Sequence, residues 1–179
     1  MALAVVAYPK LDPKDAEWIE AIRAEHDPLS RDIIAAHITL VFPVANVDRI
    51  EFINHVTSVA ETVQPIDFVL RSAVLSGHDD EYNCTHVFFV PDEGNSRICR
   101  LHDRLYTGLL ESWLRLDIPY AAHVGVANNV DPNVCKWLAD TLNANAFEIT
   151  GRIEWLDILH AENMRFDTLE RVRLQSQAN

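Results

Sequence analysis

His37-Ile38-Thr39-Leu40-Val41-Phe42 is the stretch of sequence that most constrains the fold. Apart from the histidine it consists of residues that favour strands, so it predicts a β-strand. Successive side chains of a strand point to opposite faces, so His37 and Thr39 share one face while Ile38 and Leu40 lie on the other. The pattern therefore predicts a histidine that faces away from the apolar side of its strand.

A second stretch, His123-Val124-Gly125-Val126-Ala127, repeats this arrangement far downstream. His123 and Gly125 share one face of the predicted strand, and the two valines occupy the other. Two histidines presented in this way can converge on one ligand. The alternative is a pair of half-buried strand histidines with no shared role. The other six histidines, His86 among them, lack a repeated partner and are not expected to belong to a site.

The order of predicted elements also repeats. Residues 3–77 and 84–159 each read strand, helix, histidine strand, helix, strand, and His123 follows His37 by 86 residues. Two strand-ending prolines, Pro9 and Pro91, are 82 residues apart. This agreement of order and spacing is what an internal duplication produces.

We therefore expect a single domain, residues 1–179, made of two pseudo-symmetric lobes. The lobes are predicted at about residues 1–78 and 82–160, with a closing strand to residue 175. A pseudo-two-fold relation between them would place the two histidine strands on either side of a cleft.

Helix and strand bounds follow from capping residues and apolar periodicity. Asp12-Pro13 and Asp131-Pro132 each supply an N-cap and a first-turn proline, and an apolar stripe predicts a helix over residues 48–63. A further stripe predicts a third helix. Its members are Ile98, Leu101, Leu105 and Leu109. The second histidine strand is predicted over residues 118–127, and closing strands over 147–159 and 166–174.

Charge restricts the range of partners. The 179 residues include 27 acidic and 15 basic side chains, for a net charge of −12. A surface this acidic repels a long polyanion, so we expect no extended nucleic acid to bind. A small nucleotide or the end of an RNA can still enter a locally basic cleft. Arg71 and Arg152 occupy matching places in the two repeats, but we favour a structural role on the solvent face of their strands.

Cysteine usage and hydropathy indicate the compartment. Cys84, Cys99 and Cys135 form no Cys-x-x-Cys pair, and their odd number argues against a disulfide framework or a structural zinc site. No signal peptide or membrane-spanning segment is recognisable. We expect a cytoplasmic monomer that binds neither a membrane nor a metal.

On the two histidine motifs, the sequence resembles the 2H phosphoesterase superfamily, which includes 2′-5′ RNA ligase-like proteins and cyclic nucleotide phosphodiesterases. That family carries two His-x-Thr/Ser motifs, each followed by an apolar residue. The first motif is matched by His37-Ile38-Thr39-Leu40, and the second only in part by His123-Val124-Gly125-Val126, where glycine replaces the hydroxyl residue. The resemblance implies a bilobal α+β fold, with two mainly antiparallel sheets and outer helices around a central cleft. It also implies chemistry without a metal or another cofactor.

The residues suit this chemistry. Opening a cyclic phosphate needs a base for the attacking water and an acid for the leaving oxygen, and histidine serves both near neutral pH because its pKa is ~6.5. We expect His37 and His123 to be catalytic. Thr39 is expected to donate its hydroxyl to a phosphate oxygen, and Gly125 to bind substrate only through its backbone or a water molecule.

Three functions remain open. The leading hypothesis is hydrolysis of a small cyclic phosphodiester, such as a nucleoside 2′,3′-cyclic phosphate or ADP-ribose cyclic phosphate. The second is RNA-end processing or 2′-5′ RNA ligation. The third is a nucleotide-binding module that kept the cleft and lost turnover, which Gly125 motivates. A pseudo-symmetric site permits either histidine to act as acid or as base.

Overall fold

A computed structural model describes residues 2–175 and confirms an α+β fold. The strands are β1 Ala2–Ala7, β2 Lys10–Leu11, β3 Ile38–Ala45, β4 Ile66–Asp79, β5 Cys84–Glu93, β6 Val124–Asn129, β7 Ile149–Ile153, β8 Trp155–Glu162 and β9 Arg165–Arg173. The helices are α1 Pro13–His26, α2 Arg49–Ala60, α3 Asn95–Leu105 and α4 Pro132–Ala144, with a 3₁₀ helix over Gly108–Trp113.

The strands form two antiparallel sheets. One has four strands in the order β3-β1-β8-β9, and the other has five in the order β2-β7-β4-β5-β6. The two strands that follow the predicted catalytic histidines, β3 and β6, both lie at a sheet edge. Each is the neighbour of the strand that opens its half of the chain, β1 or β5.

Strand pairing repeats between the halves in register as well as order. Val6 is opposite Thr39 in the β1–β3 pair, and Phe88 is opposite Gly125 in the β5–β6 pair. Phe88 follows Val6 by 82 residues and Gly125 follows Thr39 by 86, the same two offsets that the prolines and histidines show. The two histidine-bearing edges are therefore built alike.

The sheets do not follow the two halves of the sequence. β4 comes from the first half but pairs with β5, while β8 comes from the second half and pairs with β1. Each sheet thus takes its third strand from the other half of the chain. The lobe boundaries at residues 78 and 82 stay a prediction about the repeated halves, and they do not divide the sheets.

The helix starts predicted from Asp-Pro pairs are confirmed. The Asp12 carboxylate accepts the Lys14 N–H at 3.0 Å, and Asp131 accepts the Asn133 N–H at 2.9 Å. Asp48 caps α2 in the same way, without a proline. These caps satisfy backbone donors that have no partner inside the helix.

Two strand predictions differ from the structure. The apolar run 118–127 becomes a strand only from Val124, because Pro119 lacks an N–H to donate and Ile118 is exposed. Residues 147–159 form two strands that belong to different sheets and meet at Glu154. An apolar run looks the same in sequence whether or not it crosses from one sheet to the other.

One main core joins both sheets to the helices. Phe52 from α2, Phe68 from β4 and Phe89 from β5 are fully buried within it. A smaller apolar cluster covers the other face of the four-stranded sheet and includes Val6 and Leu159. Over residues 2–175, none of the helices combines the length and apolar character needed to cross a membrane.

Candidate active site

The two predicted histidines occupy matching positions at the start of their strands. His37 and His123 each lie one residue before β3 or β6, and both side chains are half-buried. The residues that follow them, Ile38 and Val124, are buried in the main core. Burial of these neighbours turns the histidines away from the core, because alternate residues point to opposite faces.

The same hydrogen bond orients both imidazoles. His37 Nδ1 lies 2.8 Å from the Ala35 carbonyl oxygen, and His123 Nδ1 lies 2.7 Å from the Ala121 carbonyl oxygen. A carbonyl oxygen only accepts, so Nδ1 carries the proton in each ring. In the neutral form this leaves the Nε2 lone pair of both histidines free to take a proton.

Both histidines favour the neutral form. Burial lowers the pKa of His37, with the nearby Arg23 guanidinium as a smaller contribution in the same direction. Burial also lowers the pKa of His123 to about 4, and the positive charges of His37 and His86 contribute further. Because a positive charge on His37 disfavours a second one on His123, the state with both rings protonated is disfavoured further.

Thr39 and Gly125, the predicted substrate-binding residues, differ in what they offer. Thr39 is half-buried on the same side of its strand as His37. Gly125 presents no side chain, and a Cβ atom built there would have no heavy atom within 4 Å. Packing therefore does not require glycine at residue 125. Within residues 2–175, no group of three or more His, Cys, Asp or Glu side chains is placed to hold a metal ion.

Comparison with known proteins places this geometry in a family. The sequence profile of the 2′-5′ RNA ligase superfamily matches residues 11–165. The chain belongs to the 2′-5′ RNA ligase superfamily. The resemblance to 2H phosphoesterases that the two histidine motifs suggest is thereby confirmed. No curated protein sequence matches the chain significantly.

Solved structures show how widely this superfamily fold is shared. The Thermus thermophilus protein TT0787 aligns with a TM-score of 0.66 at 16% identity, over 99% of this chain and 100% of that one. E. coli LigT, solved with NADP+, aligns with a TM-score of 0.57 at 15% identity over 98% of both chains. Kluyveromyces marxianus Usb1 aligns with a TM-score of 0.53 at 12% identity, over 97% of this chain and 98% of that one. At these identities the likeness is one of fold.

Sequence reasoning missed the aromatic and imidazole rings beside the superfamily histidines. Phe88 stacks on His123 with ring centroids 3.8 Å apart, and His86 stacks on Phe88 at 5.6 Å. Asp79 holds His86 through a 3.1 Å contact between Oδ2 and Nε2. The alternation of His86 and Phe88 along β5 was the available signal, because it places both side chains on one face of the strand.

Two sets of side-chain hydrogen bonds, called clasps below, hold the loop before His37 and the histidine strands. In the first half, Arg23 donates to the Ile34 carbonyl at 2.6 Å, and Glu20 accepts the Ala36 N–H at 3.0 Å. Arg23 is buried and also pairs with Asp27 at 3.0 Å. The backbone just before His37 is therefore held by α1.

The second clasp comes from the second half of the chain and bonds the histidine strand of the first half, β3. The Tyr120 hydroxyl donates to the Thr39 carbonyl at 2.9 Å, and the Tyr106 hydroxyl accepts the Phe42 N–H at 3.0 Å. His102 on α3 stacks on Tyr120 with centroids 3.6 Å apart. Asp27 in turn accepts a hydrogen bond from Asn128 on β6. Each histidine strand is thus tied to the clasp of the other half.

The two arginines at matching repeat positions have structural partners. Arg71 forms ion pairs with Asp92, Glu93 and Glu148 at 2.6 to 3.0 Å. Arg152 pairs with Asp67 at 2.6 Å and Glu154 at 3.1 Å. Three carboxylates around one guanidinium leave Arg71 little charge for an anionic ligand.

Proposed function

We propose that this superfamily member is a phosphoesterase that hydrolyses a small cyclic phosphodiester without a metal ion. The substrate is a nucleoside 2′,3′-cyclic phosphate or ADP-ribose cyclic phosphate. The observation that carries the proposal is the matched hydrogen bonding of His37 and His123, because it leaves two equivalent Nε2 atoms for proton transfer.

The reaction needs one histidine neutral and one protonated. The neutral Nε2 removes a proton from water as its oxygen bonds to phosphorus. The bond between phosphorus and one ribose oxygen breaks, and that oxygen takes a proton from the Nε2–H of the other histidine. Water is consumed and a phosphate monoester with a free ribose hydroxyl is formed. Either histidine can play either part in this scheme.

Substrate binding supplies the required protonation. Burial lowers the pKa of both imidazoles, so the free protein favours two neutral rings. A phosphate anion between them favours the imidazolium form of one ring, because an opposite charge at close range stabilises it. The combination of one neutral and one protonated histidine then forms when the substrate is bound.

We expect Thr39 to stabilise the negative charge on the phosphate. Its hydroxyl donates to a non-bridging oxygen, and such donors typically contribute ~2.7–4 kcal/mol in oxyanion sites. Gly125 offers no hydroxyl at the matching position of β6. The second contact is made by backbone N–H or by water, and we expect turnover to be slow for that reason.

The test is hydrolysis of adenosine 2′,3′-cyclic phosphate in excess EDTA by the parent and by His37→Ala and His123→Ala. We expect activity in the parent and a loss of at least about 10²-fold in each variant, since general acid or base catalysis contributes 10²–10⁴-fold. His78→Ala, at an exposed histidine, is the matched control. Full activity in either of the first two variants would refute the scheme.

RNA-end processing or 2′-5′ RNA ligation is the second candidate function for the same site, and family membership favours it. The chemistry is related, because a ribose hydroxyl can replace water as the attacking group. The net charge of −12 weighs against extended RNA contacts. Tight RNA binding in a filter assay would place this function first.

A nucleotide-binding module without turnover is the non-enzymatic alternative, motivated by Gly125. Calorimetric binding of a nucleotide with no product after long incubation would favour it. We rank it below hydrolysis because the orientation of both imidazoles is retained, and a binding module does not need that orientation.

A further inference from the structure

The second half of the chain carries larger side chains beside its histidine than the first half does. Ala4 and Val6 on β1 are buried in the smaller apolar cluster. At matching places on β5, 82 residues later, are His86 and Phe88. The half that has glycine in place of the motif hydroxyl therefore has a phenyl ring and a third imidazole.

Three rings form a stack on this face of the sheet. Phe88 and His123 are nearly parallel, with an angle of 19° and centroids 3.8 Å apart. His86 and Phe88 are also nearly parallel, at 16° and 5.6 Å. Val124, the residue after His123, pairs with Phe89. The rings therefore follow one another along β5 in the order His86, Phe88, His123.

A carboxylate from the neighbouring strand holds the first imidazole of the stack. Asp79 Oδ2 on β4 lies 3.1 Å from His86 Nε2, and the two side chains are 30% and 18% exposed. Burial raises the pKa of Asp79, but hydrogen bonds from His86 and from two backbone N–H groups outweigh burial and lower it. Asp79 is therefore ionised, and it can accompany a positive charge on His86.

Two further titratable groups lie near His86. Cys84 Sγ is 3.5 Å from His86 Nε2, and burial raises the pKa of the thiol, which therefore stays neutral. Asp27 reaches this face through Asn128, which is opposite His86 on β6 and donates to it. Asp27 also pairs with the buried Arg23. Of Asp79, the thiol, Asp27 and the imidazole, only the imidazole can become a cation on this face.

The stack makes two imidazoles share one phenyl ring. A phenyl face attracts a cation, so Phe88 alone would favour the protonated form of His123. A cation on the other side of Phe88 opposes this, because like charges repel in a partly buried site. Burial lowers the pKa of His123 most, and the charges of His37 and His86 lower it further.

His37 has a different environment. Its ring meets Tyr8 edge to face, at 66° and with centroids 6.2 Å apart. Burial lowers the pKa of His37, as does the charge of Arg23, whereas the carboxylate of Asp27 raises it. The two charges near His37 thus oppose each other, while both charges that act on His123 are positive. The two histidines of the pseudo-symmetric site are therefore unequal.

We propose that Asp79, His86 and Phe88 form a positioning array for the second imidazole of the active site. The array keeps His123 stacked and neutral, so this ring is the general base. His37 is then the general acid that protonates the leaving oxygen. The inference rests on the proposed function and assigns the two parts within it. The array acts through His123 and does not itself contact the substrate.

An NMR titration of His123 in the free protein tests the array without turnover. His86→Gln removes the charge and should raise the midpoint by about 0.5–1 pH unit, the order expected for one partly screened charge two rings away. His86→Lys restores a cation beside Asp79 and should return the midpoint towards that of the parent. His78→Gln removes an exposed imidazole from β4 and should not change it. An unchanged midpoint in His86→Gln would overturn the proposal.

The pH profile of kcat/KM for adenosine 2′,3′-cyclic phosphate tests the assigned parts. The acid limb of such a profile reports the general base, and the alkaline limb reports the general acid. We expect His86→Gln to move the acid limb to higher pH by about 0.5–1 unit and to leave the alkaline limb in place. Movement of the alkaline limb alone would make His123 the acid and refute the assignment.

Phe88→Leu tests the stack separately from the charge. Leucine keeps an apolar side chain but offers no ring face to His123, so kcat should fall about three- to tenfold while KM changes little. Phe88→Tyr retains the ring and should retain kcat. Phe147→Leu removes a half-buried phenyl ring elsewhere and serves as control. An unchanged kcat in Phe88→Leu would show that the ring does not position His123.

Failure of the array and failure of the hydrolytic function give different results. If no cyclic phosphate is hydrolysed but the His123 midpoint rises in His86→Gln and returns in His86→Lys, the function fails and the electrostatic role of the array stands. If the parent hydrolyses the substrate and the midpoint does not respond to residue 86, the array fails and the two-histidine scheme stands.

Discussion

At the scale of single residues, the candidate site contains two imidazoles that are oriented alike and that favour the neutral form. Hydrogen bonds to Ala35 and Ala121 fix the Nδ1 proton of His37 and His123, and burial lowers the pKa of both. These features follow from backbone position, since each acceptor lies two residues before its histidine. A substitution that alters the surroundings of either ring should therefore change the pH dependence of stability or the rate of reaction measurably.

The low pKa of His123 predicts a stability that depends on pH. The pKa is about 4 in the folded protein and ~6.5 when unfolded, so the unfolded chain binds more protons between these values. Stability should fall as pH decreases from 6.5 towards 4, by at most about 2 kcal/mol between pH 7 and pH 5. Urea unfolding of the parent and of His123→Gln at both pH values measures this, with His78→Gln as the exposed control. An equal pH response in parent and His123→Gln would contradict it.

A second prediction at the scale of single residues concerns the missing hydroxyl at Gly125. Gly125→Thr should raise kcat/KM by tenfold or more, because a phosphate-directed hydroxyl is typically worth ~2.7–4 kcal/mol and space for the Cβ atom is open. Gly125→Val has nearly the same shape without the hydroxyl, so it should give no gain. Equal rates for the threonine and valine variants would show that a hydroxyl at this position does not assist the reaction.

At the scale of elements, each histidine strand is an edge strand held by a clasp from the opposite half. Tyr106 and Tyr120 bond backbone groups of β3, and Asn128 on β6 bonds Asp27, which pairs with Arg23 of α1. Burial raises the pKa of Tyr120, so its hydroxyl stays protonated and donates. We expect these contacts to set the spacing between His37 and His123.

Tyr120→Phe tests this coupling. It leaves the Thr39 carbonyl without its side-chain donor, which should lower the free energy of unfolding by about 1–2 kcal/mol. Because the hydroxyl touches β3 and not the substrate, we expect kcat to fall more than KM changes. Tyr82→Phe, at an exposed tyrosine, serves as control. Lost stability with unchanged kcat would show that this clasp does not position the site.

The sequence predicted three helix starts and the first histidine strand well, because caps and periodicity are local signals. Asp12, Asp48 and Asp131 mark helix starts whatever the tertiary structure. The exchange of β4 and β8 between sheets was not predictable, since strand pairing depends on contacts far apart in sequence. The repeat is a pattern in the sequence itself, so it identified His37 and His123, whereas the stacking of Phe88 on His123 depends on strand pairing and was missed.

At the scale of the whole molecule, the chain is strongly acidic and several of its arginines are paired with carboxylates. The net charge of −12 opposes long polyanions, and Arg71, Arg152 and Arg171 each contact at least one carboxylate. The matching register of the β1–β3 and β5–β6 pairs is what a duplicated half would produce, and β4 and β8 pair with strands of the other half. Composition indicated the overall charge, but only the fold revealed which positive charges are paired with carboxylates.

This charge distribution predicts weak and salt-sensitive binding of long RNA. A 30-nucleotide single strand should bind little more tightly than a dinucleotide, because few phosphates contact basic residues and the remaining surface repels them. Filter binding at 50 and 200 mM salt measures the slope of log K against log salt, which should correspond to one to three phosphates. A slope near that of extended RNA-binding proteins would contradict the prediction.

The most direct measurement is a crystal structure of the protein with a nucleoside vanadate, which mimics the five-coordinate phosphorus of the reaction. We predict the vanadium between the two imidazoles, with His37 Nε2 and His123 Nε2 each within about 2.6–3.2 Å of oxygens on opposite sides. Vanadate contacting only one of these rings, or bound elsewhere, would contradict the two-histidine mechanism.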